Sequence, residues 1–428
     1  MSSIDKDYKE FKLDNGLTVA LQETPSQTVA GALRVNHGAL NEEKGEEGIA
    51  HFLEHAIVTG GSKKYSPQQT DEIRTNFSHK TFSTSLYKTA FEAGMLPENT
   101  EIFLDYISDT VLNPRLDRRE LEQERSRILR ETSDKKSKPN FKDNKALNEA
   151  FFGKDSPQTY FILGDEEVIK SANEEDLRNF HERGYHPNNM DLILVGALPD
   201  NIEDLVHKNF SNYPRGDVSE LQIPRNPPLY EASFIHTSAP DLINKDNPDQ
   251  SSAKLNINLF YPTITDEDIY AAGILSMILG GGSESMLFNT LSRKNSLAYS
   301  ITSLFNKTDK NTGQLKIEAN IDPAKSEEAI DLIFHEMNNL REQIVVPEKV
   351  LDGIKRDFKY QVATSYETNF GRLKAIESKL DNGLTVDQHF ERAETVTPDQ
   401  VREVAQKYLP ESRANGKYAL LLRDPLKD

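Results

Sequence analysis

The feature that most constrains this fold is an internal repeat, in which one order of predicted elements occurs twice. Residues 174–198 (EEDLRNFHERGYHPNNMDLILVGAL) predict a helix, a proline-containing turn and a buried strand, and residues 397–425 (TPDQVREVAQKYLPESRANGKYALLLRDP) predict the same order. A strand, a helix and a glycine-rich stop also recur, in residues 32–62 and 254–283. Because repetition at a fixed offset indicates a duplicated structural unit, the sequence predicts two similar domains of about 200 residues each.

The boundaries of these domains follow from local composition. The first third of the chain alternates short strand-like and helix-like segments, with a hairpin signal at Asp14-Asn15-Gly16. A stretch rich in Pro, Asn, Asp and Ser separates the two copies. We therefore predict a first domain over residues 1–215, a linker over residues 216–250 and a second domain over residues 251–428.

Composition excludes several classes of function. The chain has no cysteine, so disulfides and thiolate nucleophiles are excluded and a bound metal must be held by His, Asp or Glu. The formal net charge of −18 argues against a nucleic-acid partner and adds a weak long-range attraction for cationic substrates. No apolar run approaches the ~18–20 residues that span a bilayer, and the first residues carry no secretory signal. These features predict a cytoplasmic protein without a membrane partner.

The segment GIAHFLEHAIVTGGS, residues 48–62, carries the candidate chemistry. Its apolar residues recur at three- and four-residue steps, which predicts a helix that begins near Glu46 and ends at Gly60-Gly61. His51 and His55 then lie on one face with Cβ atoms ~5–6 Å apart, so both imidazoles can reach one metal ion. Glu54 borders that face and can accept a proton from a water that the metal activates. This H-x-x-E-H pattern is a zinc peptidase signature.

A solvated helix face is the common explanation of polar residues on a helix, but these two histidines interrupt an apolar segment. Burying two imidazoles without a shared partner would be unfavourable, which favours a metal site. A catalytic zinc normally has three protein ligands. The predicted helix 117–133 offers Glu120, Glu124 and Glu131 on one face, and these could equally be surface acids.

The internal repeat provides a test of this hypothesis. Aligning Gly60 with Gly280 places the three motif residues opposite apolar ones, and the pairs are His51 with Ala271, Glu54 with Ile274 and His55 with Leu275. A residue that the shared fold required would occur in both copies. We therefore predict a catalytic, zinc-binding first domain and a homologous second domain without catalytic groups.

Across nearly its whole length the chain resembles the pitrilysin/insulinase family of zinc peptidases, and within it the half-length branch near the mitochondrial processing peptidases. The resemblance rests on LDNGLTV at 13–19, HGALNEEKGEEGIAHFLEHAIVTGG at 37–61, ERSRILRE at 124–131, YHPNNMDLILVG at 185–196, LGGGSESMLFNTL at 279–291 and LAYS at 297–300. It implies an α+β fold of two similar domains, each a mainly antiparallel β-sheet packed against helices.

The resemblance also implies roles for individual residues. His51, His55 and Glu131 would bind one Zn²⁺ per chain, Glu54 would be the base that activates water, and Glu124 would be a carboxylate beside the catalytic site. Family members use a tyrosine and an arginine seven residues before it to hold the substrate backbone.

This chain keeps that tyrosine as Tyr299, which could also hydrogen-bond the developing oxyanion. It has Ser292 at the arginine position, and Arg293, one residue later, is the candidate replacement. The departure concerns substrate holding and not the metal.

Together with the motif, this resemblance predicts a zinc-dependent endopeptidase. Two half-length chains would close around a chamber that holds a peptide substrate, either as a homodimer or as a heterodimer with a related chain. In the heterodimer the chain could be a catalytic or a non-catalytic subunit. Two alternatives remain open: a peptide-binding or assembly protein without activity, and a metal-dependent hydrolase of non-peptide substrates.

Overall fold

The structure is a computed structural model, and it describes residues 7–154, 156–219, 221, 232–247, 251–262, 267–307, 313–342 and 346–427. The strands in this part of the chain are β1 (Tyr8–Lys12), β2 (Thr18–Glu23), β3 (Val29–Val35), β4 (Phe77–Thr84), β5 (Thr89–Met95), β6 (Met190–Gly196), β7 (Ser233–Ser238), β8 (Ala253–Tyr261), β9 (Ala298–Lys307), β10 (Gly313–Ile321) and β11 (Tyr418–Asp424). The helices are α1 (Ile49–Thr59), α2 (Pro67–Arg74), α3 (Thr100–Leu112), α4 (Arg118–Lys136), α5 (Phe141–Phe152), α6 (Glu166–Ser171), α7 (Glu174–Gly184), α8 (Ile202–Phe210), α9 (Ile269–Gly280), α10 (Ser326–Glu342), α11 (Glu348–Ser365), α12 (Asn369–Asn382), α13 (Val386–Glu394) and α14 (Pro398–Tyr408).

The chain forms two compact units, and each unit is made of three separate stretches. The first unit contains Met1–Lys135, Tyr160–Gln222 and Val362–Asp387, and the second contains Lys136–Thr159, Ile223–Gln361 and Gln388–Asp428. Helix α5 therefore lies in the second unit although it precedes most of that unit in the chain. Helix α12 lies in the first unit although it comes after the rest of that unit in the chain.

Each unit is built on one sheet, and the five strands of the second sheet follow the same order as five of the six strands of the first, with β1 as the additional strand. The first sheet has the order β1-β2-β6-β3-β5-β4, and the second has the order β7-β11-β8-β10-β9. One pair in each sheet is parallel, β2 with β6 and β7 with β11, and the other pairs are antiparallel. The predicted fold class of two similar α+β domains with mainly antiparallel sheets is thereby confirmed.

One face of each sheet packs against the main helices of its own unit. In the first unit, Phe52 and Leu53 of α1 and Phe103 of α3 are buried in a core shared with β2, β3 and β6. In the second unit, α9, α10 and α14 contribute buried apolar residues to a core with β8, β10 and β11. The metal-motif helix α1 is therefore part of a packed scaffold.

The opposite face of each sheet is covered by a helix from the other half of the chain. Leu373 and Ile376 of α12 pack on small alanines of the first sheet, among them Ala30 and Ala32. Phe151 of α5 stacks on Phe260 of the second sheet with ring centroids 4.5 Å apart. Both faces of the central strands are thus buried, which explains why β6 reads as a nearly continuous apolar run.

Buried charges also hold α12 against the first sheet. Arg34 of β3 is almost fully buried and donates to Asp191 at 2.8 Å, with Asp381 of α12 at 3.3 Å. Lys374 of α12 reaches Glu92 of β5 at 2.5 Å. Because an unpaired buried charge is strongly destabilising, these pairs fix the position of the helix on the sheet.

The range 216–250, predicted as a linker, lies partly outside the described residues. Within the described part of it the structure contains β7, which pairs with β11 at the edge of the second sheet. An edge strand is half exposed, so it needs no continuous apolar run and carries a weak signal in the sequence. None of the helices in the described part of the chain has the length and apolar character that crossing a membrane requires.

The substitution Leu373→Ala tests the role of α12. Leu373 is fully buried against the sheet, so its truncation leaves a cavity and should destabilise the first unit by about 2–5 kcal/mol. Denaturant unfolding would show a lower midpoint, and hydrogen exchange of the α12 and β6 amides would accelerate. The control is Ser378→Ala, at an exposed position of the same helix. Equal stability of the two variants would contradict this packing.

Candidate metal centre

Helix α1 begins at Ile49, three residues after the predicted start near Glu46, because the residues before it are held by side-chain contacts. The Glu42 carboxylate accepts hydrogen bonds from the backbone N–H groups of Gly48 at 2.9 Å and Ala50 at 2.8 Å. The Tyr160 hydroxyl donates to the same carboxylate. Gly48 has a φ of +100°, a conformation that favours glycine. Glu42 therefore anchors the first turn of the helix that carries the motif.

The structure brings His51, His55 and Glu131 together. One potential ligand atom from each lies within 4.8 Å of the other two. The Glu131 carboxylate of α4 is 3.8 Å from His51 Nε2 and 3.9 Å from His55 Nε2. These separations exceed hydrogen-bond distance and are close to the spacing of groups that share one ion.

His55 is oriented by Glu124, which lies about two helical turns before Glu131 on α4. The Glu124 carboxylate is buried, and one of its oxygens is 3.0 Å from His55 Nδ1. The other oxygen accepts from Arg127 at 2.8 Å. Burial opposes protonation of His55, but the Glu124 hydrogen bond and the neighbouring carboxylates raise its pKa. With Nδ1 engaged, Nε2 is the nitrogen directed toward Glu131.

Glu54 is buried beside these groups, on the turn of α1 between the two histidines. The Thr84 hydroxyl, at the end of β4, donates to Glu54 Oε2 at 2.8 Å. Burial raises the pKa of Glu54, while the Thr84 hydrogen bond and the nearby His55 partly offset that shift. A raised pKa makes the Glu54 carboxylate a stronger base, as a group that accepts a proton from water needs to be.

The donor set fits a zinc ion. His51 is buried, its Nδ1 has no hydrogen-bond partner among the described residues, and the rings of His51 and His55 are in edge contact at 4.6 Å. Burial and the nearby His55 lower the pKa of His51 to about 3, so this imidazole is neutral, as a metal ligand must be. Two imidazoles and one carboxylate are the ligands of many catalytic zinc sites.

The other predicted residues are not part of this ligand cluster. Tyr299 and Arg293 belong to the second unit, where Tyr299 is 67% exposed at the start of β9 and Arg293 pairs with Glu284 at 2.7 Å. Ser292 lies in a π-helical turn, Phe288–Lys294. Glu120 lines a polar cavity together with Glu124 and is not among the three clustered ligands.

Three residues that the sequence reading did not single out support the site, namely Glu42, Thr84 and Tyr160. No local pattern distinguishes Glu42 from the other acids that precede α1, because its partners are backbone N–H groups up to eight residues later and a tyrosine far along the chain. Thr84 lies near Glu54 only because β4, at the edge of the sheet, packs against α1.

Family models match most of the chain. Residues 18–160 match the model described as Insulinase (Peptidase family M16), and residues 171–358 match the model described as Peptidase M16 inactive domain. The second part of the chain thus matches a model described as inactive. This agrees with α9, where Ala271, Ile274 and Leu275, aligned with the three motif residues of α1, are buried and not metal-binding.

Individual relatives agree with these matches. The chain is 25% identical to an uncharacterized zinc protease of Bacillus subtilis, over 97% of this chain and 98% of that protein. It is 28% identical to the mitochondrial-processing peptidase subunit beta of Neurospora crassa, over 65% of this chain and 57% of that protein.

Solved structures share the fold. A protease from Helicobacter pylori has a TM-score of 0.80 at 19% identity and covers 98% of this chain and 99% of its own. The periplasmic protease PqqL of Escherichia coli has a TM-score of 0.81 at 19% identity, covering 98% of this chain but only 48% of its own. At these identities the likeness shows the fold alone.

The substitution Glu124→Gln tests the support of His55. The amide keeps the shape of the side chain but removes the charge that orients and polarises the imidazole, so zinc affinity should fall about 10–100-fold. Competition with a chelator measures that affinity, and Glu120→Gln on the same helix is the matched control. Unchanged affinity in Glu124→Gln would mean that Glu124 does not support the metal site.

The anchor of α1 predicts a pH effect. Burial raises the pKa of Glu42 from 4.5 to about 7, so between these values the folded chain keeps a proton that the unfolded chain has lost. Stability contributed by Glu42 is therefore lost as pH rises through this window. Relative to wild type, the Glu42→Gln variant should gain about 3 kcal/mol across the window, measured by thermal unfolding, with exposed Glu43→Gln as control. A constant difference between Glu42→Gln and wild type would contradict the assignment.

Proposed function

This chain belongs to the M16 (insulinase) peptidase family, and we propose that it is a zinc-dependent endopeptidase that holds one Zn²⁺ per chain on His51, His55 and Glu131. The observation that carries the proposal is the convergence of these three side chains within 4.8 Å beside the buried carboxyl of Glu54. The similarity to proteins named zinc proteases supports the choice of metal.

In this mechanism the residues of the chain transfer one proton from the attacking water to the leaving amine. When bound, zinc supplies Lewis-acid activation of water and of the scissile carbonyl. Glu54 takes the proton of the attacking water and then delivers it to the leaving amine, so that the peptide C–N bond breaks. Thr84 holds one carboxylate oxygen of Glu54 at 2.8 Å, which limits the orientations of the base. Glu124 holds His55 in the tautomer that leaves Nε2 for the metal.

Strand β4 is the candidate binding strand for the peptide. It is the edge of the first sheet, pairs with β5 on one side only, and exposes most of its side chains. An extended peptide can add to such an edge through main-chain hydrogen bonds, a mode that reads backbone more than side chains. A bulge between Ser78 and Thr81 interrupts the β4 register, and His79 within it has a φ of +46°. The peptide would therefore pair with the regular part of the strand, nearest Thr84.

We further propose that two half-length chains enclose the substrate, as a homodimer or as a heterodimer with a related chain. The chain spans 48% of the PqqL protein, and one relative is named as a subunit, which supports a partner of similar size. Tyr299 would contact the substrate backbone, since it is exposed. Arg293 is paired with Glu284 and would have to break that ion pair before it could bind a substrate. Because Ser292 stands at the usual arginine position, we propose that a partner chain supplies the arginine.

The substitution Glu54→Gln tests this function. The amide cannot accept the proton of water, so cleavage of a quenched fluorescent peptide library should fall at least about 10²-fold while bound zinc, measured by elemental analysis, stays the same. Glu72→Gln, exposed on α2, is the matched control. Zinc binding without cleavage by the wild-type protein would assign activity to an assembly with a partner chain. Absence of zinc binding would exclude the proposed catalysis.

A further inference from the structure

We propose that the enzyme prefers substrates with an acidic side chain next to the scissile bond, and that Arg127 and Lys80 bind that carboxylate. This inference rests on the proposed peptidase function and names the class of substrate. It comes from two cationic side chains that line one cavity in the first unit, and this cavity is continuous with the candidate metal centre.

The cavity has a volume of about 440 Å³ and lies between α1, β4 and α4. Glu54, His55, Val58, Thr59, Lys80, Thr81, Phe82, Glu124 and Arg127 line it. Because the proposed base and one proposed ligand are part of this lining, a substrate bound along β4 would place a side chain that flanks the cleaved bond in the cavity. The volume is ample for an Asp or Glu side chain.

Arg127 is positioned to bind a second carboxylate. One of its five N–H donors goes to Glu124 at 2.8 Å, and 56% of its side chain is exposed. The bond to Glu124 fixes the guanidinium at the cavity wall without burying it. Arginine pairs with carboxylates through two parallel hydrogen bonds, which gives both energy and directional selectivity.

Lys80 contributes the second positive charge. Its ammonium donates to two backbone carbonyls, each at 3.0 Å, that of Arg74 at the end of α2 and that of Phe77 at the start of β4. These two bonds hold the charge in place on β4 and leave one of its three N–H donors for another partner. Both acceptors are neutral, so the positive charge of Lys80 is not neutralised by them.

The carboxylates of the lining are already engaged. Glu124 binds both His55 and Arg127, and Glu54 is held by Thr84 and assigned to proton transfer. Apart from His55, the remaining lining residues have no ionisable side chain. Arg127 and Lys80 balance the formal charges of Glu54 and Glu124, and both cations keep N–H donors that a substrate carboxylate can use, in a protein whose formal net charge is −18. The overall charge acts over long distances and is screened by salt, whereas the cavity acts on the side chain in contact with it.

The experiment uses the full-length zinc-loaded protein and a set of quenched fluorescent peptides. The peptides share one sequence, have an amidated C-terminus and carry Glu, Gln or Lys at one scanned position. We expect kcat/KM to be about tenfold higher for Glu than for Gln beside the cleaved bond, and lowest for Lys. The variants Arg127→Gln and Lys80→Gln should each lower the Glu-to-Gln ratio, and exposed Arg130→Gln on α4 should leave it unchanged.

The Glu-to-Gln ratio is measured within each variant, so a change in overall rate from the loss of the Arg127–Glu124 bond does not affect it. A separate peptide with Gln at that position and a free C-terminus tests whether a terminal carboxylate is recognised instead. Preference for that peptide, a ratio near one in wild type, or a ratio unchanged in both variants would each overturn the inference while the peptidase function stands. Failure of the zinc-loaded protein to cleave any peptide would overturn the inference for this chain and, as above, assign the peptidase activity to an assembly with a partner chain.

Discussion

The hydrogen bond between His55 and Glu124 joins the two helices that carry every proposed ligand and the proposed base. The bond fixes the orientation of the His55 imidazole on α1. It also fixes the position of α4 along α1, which brings Glu131 close to His55 Nε2. Glu124 is buried, so the bond operates away from bulk water, where it is stronger and its loss would leave a buried charge. Arg127 is held by the other oxygen of the same carboxylate, which links the metal centre to the cavity beside it.

This contact depends on a scaffold that is buried on both sides. Helix α1 packs on one face of the first sheet, and α12 closes the other face through Leu373 and the ion pairs of Arg34. At its first turn α1 is fixed by Glu42, and at its last turn it stops at glycine. Groups that must be held to within about 0.5 Å of a productive geometry are thus placed on rigid elements and not on loops.

Much of the site could be predicted because it follows helical spacing. Three- and four-residue periodicity places His51, Glu54 and His55 on neighbouring faces of one helix, and the same rule puts Glu124 and Glu131 on another. The repeat predicted two similar sheets, and both are present. Contacts between distant residues could not be predicted this way. An amphipathic helix such as α5 or α12 does not indicate which sheet it will cover, and the roles of Glu42 and Thr84 depend on pairing that only the folded chain brings about.

The central claim is that His51, His55 and Glu131 hold one catalytic zinc ion and leave it an open position. The most direct test is a crystal structure of the zinc-loaded protein with anomalous data collected at the zinc edge. The account predicts one strong peak per chain, bonded to both imidazoles and to the Glu131 carboxylate, with no fourth protein ligand and with Glu54 nearby but unbound. A peak at other residues, or a fourth protein side chain that closes the coordination, would contradict it.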